Sequence, residues 1–111
     1  MNAGTSAVSL TTRTFDEALA AYPALVVDFW APWCGPCRAL APVLEDVARE
    51  QAGRVVIGKV NVDEEPEIAA RFGIRSIPTL IFFQDGKPRD TVVGAVPKSE
   101  ITTRVAEMGA D

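Results

Sequence analysis

The stretch whose reading decides the fold is Ala24-Leu25-Val26-Val27-Asp28-Phe29-Trp30-Ala31-Pro32-Trp33-Cys34-Gly35-Pro36-Cys37. Its first half is nearly continuous in apolar character, the pattern of a central strand covered on both faces. Only Asp28 interrupts it. Downstream of the cysteines, Leu40, Val43, Leu44 and Val47 recur at helical spacing as far as about Gln51. Cysteines three apart in the first turn of such a helix share one side of it, with a rise of ~4.5 Å between them. A disulfide between Cys34 and Cys37 can therefore form and open with little backbone movement. Pro36 suits this turn, where its missing N–H costs no bond. Pro42 lies inside the helix and predicts a kink rather than a stop. Gly53 is expected to close the helix.

Outward from this core, Val8-Ser9-Leu10 reads as a short strand and Asp16 to Ala21 as a short helix ended by Pro23. Val55 to Val62 is a second core strand, followed by a short helix over Glu65 to Phe72 that ends at Gly73. Thr79-Leu80-Ile81-Phe82-Phe83 is a third strong strand. Gln84-Asp85-Gly86-Lys87 then marks a hairpin turn, with Arg89 to Ala95 as the returning strand. Pro97-Lys98-Ser99-Glu100 opens a last helix with Ile101, Val105 and Met108 on one face. The order β-α-β-α-β-α-β-β-α predicts an α/β fold: a mixed sheet of about five strands flanked by about four helices. Strands joined by helices are expected to run parallel and the terminal hairpin antiparallel.

The 111 residues suit a single domain over 1–111, with residues 1–6 expected to be a flexible N-terminus. A net charge of −4 and scattered basic residues argue against nucleic acid or an anionic membrane as partner. The N-terminal residues lack the basic and apolar regions of a signal peptide, and the longest apolar run is too short to span a bilayer. A cytoplasmic monomer is the expectation. Zinc usually takes four Cys, His or carboxylate ligands, and with two thiolates and no imidazole a structural zinc site within one chain is not expected, nor any other bound metal. In a reducing compartment such a pair points to redox chemistry more than to a permanent staple. Spacing alone still leaves an inert structural disulfide or two incidental core cysteines open. The free N–H groups at the helix start favour negative charge, so Cys34 is expected to ionise readily and attack, with Cys37, deeper in the helix, as the resolving thiol.

Trp30-Ala31-Pro32-Trp33-Cys34-Gly35-Pro36-Cys37-Arg38 closely resembles the active-site segment of thioredoxins. The likeness continues in Val26-Val27-Asp28-Phe29, Lys59-Val60-Asn61-Val62-Asp63, Ile77-Pro78-Thr79 and Gly86, and covers nearly the whole chain. It implies the thioredoxin fold and a protein-disulfide reductase with a reversible Cys34–Cys37 bond. No bound cofactor is implied. Electrons would come from NADPH through a flavoprotein, thioredoxin reductase, and the substrates would be disulfide-containing proteins.

The resemblance also assigns roles. On local rules a carboxylate inside a core strand is costly, and Asp28 reads as an edge residue or one facing a solvent gap. The resemblance instead buries it beneath the cysteine pair, where a raised pKa would let it accept the Cys37 proton. Lys59 becomes its candidate partner, against a plain reading as a snorkelling surface lysine. Pro78 would be trans on base rates, whereas the matching proline of thioredoxins is cis and faces the cysteines. Trp33, Gly35, Pro36, Ile77, Pro78, Val93, Gly94 and Ala95 would form an apolar substrate-contact surface, and Trp30 would pack in the core. For Val93 to Ala95 a mere strand end is the rival reading. Arg38 and Ser76 stand where familiar relatives carry lysine and glycine. Two other classes stay open: a redox-inert scaffold or subunit of the same fold, and a dimer bridging a metal through four thiolates.

Overall fold

The computed structural model describes residues 5–108, so the expectation for residues 1–6 falls mostly outside it. The elements are β1 (Val8–Ser9), α1 (Phe15–Ala21), β2 (Ala24–Trp30), α2 (Gly35–Glu50), β3 (Val56–Asn61), α3 (Pro66–Arg71), β4 (Thr79–Gln84), β5 (Lys87–Val93) and α4 (Lys98–Met108). They build one five-stranded sheet in the order β1-β3-β2-β4-β5. The stretch with the strongest apolar run, β2, sits at its centre.

β1, β3 and β2 run parallel, but β4 pairs antiparallel with β2, with Phe29 opposite Thr79. This corrects the expectation that every helix-linked pair of strands would be parallel. The connection through α3 brings the chain back into the sheet at the end it has just left, so that Thr79, the first residue of β4, lies opposite Phe29 near the end of β2.

Alternation along β2 divides the core into two layers. Val26 packs with Leu40, Leu44, Ile101 and Val105, so α2 and α4 cover one face. Leu25, Val27 and Phe29 pack with Phe15, Ala18 and Ile68, so α1 and α3 cover the other. Asp28 shares the parity of Val26 and thus points to the α2 side. In β3, Gly58 permits the close approach of β1: a Cβ there would lie 2.6 Å from Leu10 Cδ1.

Besides one-residue shifts at the ends of β1, α1, β3, α3, β4 and α4, three boundaries differ from the sequence reading. Helix α2 runs through Pro42 and is capped at Gln51, while Gly53, at φ +86°, belongs to the turn beyond. The hairpin turn is the two-residue Asp85-Gly86, with φ of 53° and 82°, so β5 starts at Lys87 rather than Arg89. It also ends at Val93, not Ala95, because Gly94 at φ +100° turns the chain out of the ladder. Among the described residues no helix is long and apolar enough to cross a membrane.

Candidate active site

Strand β2 delivers the chain to one pole of the sheet, where Ala31 to Trp33 turn it into α2. Cys34 is the N-cap, in extended conformation, and its Sγ accepts the backbone N–H of Cys37 at 3.2 Å. The two cysteines form a disulfide with Cα atoms 5.2 Å apart. They are only 4% and 2% exposed, so exposure barely separates them. Their positions on the helix do: Cys34 caps it and Cys37 lies inside its first turn. Cys34 Sγ is 3.8 Å from the carbonyl oxygen of Ile77. Trp30, Ala31, Val62 and Ile77 pack around the pair. Arg38, one turn on, donates from Nη1 to the Pro32 carbonyl at 2.9 Å and braces the loop before the cysteines.

Asp28 is wholly buried, and no protein group hydrogen-bonds either carboxyl oxygen. The local reading of an edge or solvent-facing carboxylate is therefore wrong. Burial pushes its pKa up to about 7, and the nearby Lys59 charge opposes that rise only in part. Lys59 stands opposite Asp28 in the β2–β3 register and is half-buried. Its Nζ lies over the Trp30 ring, 4.7 Å from the centroid, a cation–π contact rather than an ion pair with the carboxylate. Trp30 is itself half-buried.

The same pole carries an exposed apolar face. Trp33 is 67% and Val93 59% exposed. Gly35, Pro36 and Ala95 are exposed, Ile77 and Gly94 half-buried, and Pro78 buried. The Ile77–Pro78 peptide is cis. Thr79 pairs with Val93, and Gly94 N–H donates to the Pro78 carbonyl at 2.8 Å, tying the start of β4 to the end of β5. Two residues here received no role from the sequence. Asp63 accepts the indole N–H of Trp33 at 2.8 Å, and Asn61 Oδ1 in turn accepts the Asp63 backbone N–H at 2.9 Å. The available signal was an Asn directly at the end of a core strand, a residue type that closes local turns with its side chain.

A family model described as Thioredoxin matches residues 6–107. The chain belongs to the thioredoxin family. It is 52% identical over 96 residues to Thioredoxin 1 of Synechococcus elongatus, covering 86% of this chain and 90% of that one. It is also 52% identical over 81 residues to the chloroplastic M-type thioredoxin of Pisum sativum, covering 73% of this chain and 47% of the pea chain. Among solved structures, a mutant thioredoxin from Halobacterium salinarum superposes with a TM-score of 0.89 at 28% identity, covering 97% of this chain and 95% of the other. Family and paired cysteines together make the chain a protein thiol–disulfide oxidoreductase. Thioredoxins carry no bound cofactor, since the dithiol itself holds the two electrons.

Proposed function

We propose that the chain reduces disulfides in partner proteins by two successive displacements. Cys34 thiolate attacks a partner disulfide, forming a mixed disulfide and expelling one partner thiolate. Cys37 then gives its proton to Asp28 and attacks Cys34 Sγ. The second partner thiolate leaves, and the Cys34–Cys37 bond remains. Two electrons from NADPH, passed through a flavoprotein thioredoxin reductase, restore the dithiol. The observation that carries the order of attack is the cap: Cys34 sulfur receives a helix N–H, an arrangement that favours its thiolate. Asp28 supports the second step because a carboxyl titrating near 7 is still a base at neutral pH. Trp33, Gly35, Pro36, Ile77, Pro78, Val93, Gly94 and Ala95 form the surface on which the partner lies. The chain works as a monomer in a reducing compartment, the cytoplasm, where an open dithiol persists.

Substitution tests the order. Cys37→Ser traps a mixed disulfide with protein substrates, visible on non-reducing gels, and Cys34→Ser does not. Equal trapping by both variants overturns the assignment.

A further inference from the structure

The substrate face continues past Val93. On the α1/α3 side of the sheet a cavity of about 190 Å³ opens between segment 72–76 and the outer strand β5. Phe72, Ile74, Ile81 and Thr91 line it, and Val93 belongs both to its wall and to the exposed face beside the cysteines. A cavity of this order accepts a benzene-sized apolar group. Arg75 and Ser76, both exposed, also line it. Their loop is held by Thr79, whose hydroxyl donates to the Ser76 carbonyl at 2.5 Å.

Arg75 makes no hydrogen bond or ion pair among the described residues. Arg49, Arg71, Lys98 and Arg104 each face a carboxylate; Arg13, Arg54 and Lys87 are unpaired like Arg75 among the described residues, but of the four only Arg75 lines this cavity. The chain holds 15 acidic side chains against 11 basic ones, so its overall field repels acidic partners. An unpaired guanidinium at the margin of the substrate face reverses that preference locally.

We propose that this cavity is a specificity subsite for the partner segment that carries the disulfide. An apolar side chain of that segment fills the cavity, and an acidic side chain beside it pairs with Arg75. Continuity fixes the occupant's class: a chain crossing Ile77 and Val93 to reach Cys34 runs on into this opening. The subsite rests on the reductase reading above and adds to it a choice among substrates.

The test is a set of otherwise identical disulfide-linked peptides in which a Leu-Glu or a Leu-Lys pair is walked through the positions flanking one cysteine. At one position the Glu peptide is reduced faster in kcat/KM, by up to about fivefold, as suits an exposed ion pair. Arg75→Glu reverses the preference at that position. Thr91→Trp, on the exposed side of β5, fills the cavity and raises KM for the Leu peptides over their Ala counterparts. No position with a Glu–Lys difference, or a difference that Arg75→Glu leaves unchanged, overturns the subsite while the reductase reading stands. Failure of the unaltered chain to reduce any peptide overturns the reductase reading itself.

Discussion

Asp28 and Lys59 face each other in register across β2 and β3, yet the lysine ammonium lies over the Trp30 ring and leaves the carboxyl without a hydrogen bond. The buried acid is thus only partly compensated. A native structure keeps such a group at a cost in stability, because the ionised form has lost its water and gained no donor.

This cost depends on pH. The folded pKa, about 7, lies above the ordinary value of 3.8, so folding favours the protonated acid. Stability from this group is complete below the unfolded pKa and is lost as pH rises from about 4 through 7. Asp28→Asn, which mimics the protonated form, should match the parent chain near pH 4. At pH 8 it should be more stable by about 1–3 kcal/mol. Denaturant titrations at the two pH values measure this, and a gap that stays constant with pH would show that Asp28 is not the group responsible.

The same variant should slow the second displacement. With no carboxylate to take the Cys37 proton, release of the second partner thiol at pH 7 should fall about tenfold or more. Raising the pH should shrink the deficit, since hydroxide can then take the Cys37 proton in place of the carboxylate. Rapid-mixing measurements of mixed-disulfide decay across pH read this directly. Equal rates at pH 7 would remove Asp28 from the mechanism.

Trp33 is the largest exposed apolar side chain at the pole, and Asp63 fixes its ring by one hydrogen bond. Asp63→Ala should change stability by no more than about 0.5 kcal/mol, as the site is exposed. Protein substrates should nonetheless show a KM raised by about threefold, in keeping with one hydrogen bond's worth of positioning, with kcat nearly unchanged. Faster tryptophan depolarisation would report the freed ring. An unchanged KM would show that the indole needs no tether.

Gly58 tests the packing of β1. An added Cβ would meet Leu10 Cδ1 at 2.6 Å and Cγ at 3.2 Å, so Gly58→Ala should cost about 1–3 kcal/mol. Leu10→Ala in the same chain should recover part of that loss, and a double-mutant cycle would measure the coupling. Strict additivity would place the strain elsewhere.

Much of this architecture was legible in short stretches. The apolar run of β2, the helical spacing after Cys37 and the Asp85-Gly86 turn each state their own local structure. The direction of β4 was not legible, because it depends on the path of the whole connection through α3 and not on the residues of β4 itself. Asp28 illustrates the opposite failure. Local rules send a carboxylate outward, and only its place in a central strand, with Leu80 and Lys59 as neighbours, keeps it inside. The link between Trp33 and Asp63 spans 30 residues, a separation at which no periodicity signals contact. The cysteine pair and the roles of its two members were legible from the motif and its place at a helix start, whereas the bond from the Cys37 N–H to Cys34 sulfur is set by the fold of that turn.

The reversed entry of β4 has a consequence for how the molecule comes into being. Because β4 begins where β2 and β3 end, the working pole gathers segments near residues 33, 63, 77 and 93, each from a different connection. No early fragment of the chain holds them all. A growing polypeptide can possess its thiols well before it possesses a surface on which a partner can rest. Selective electron transfer is therefore a property of the finished sheet, gained in one cooperative step with its long-range strand pairing.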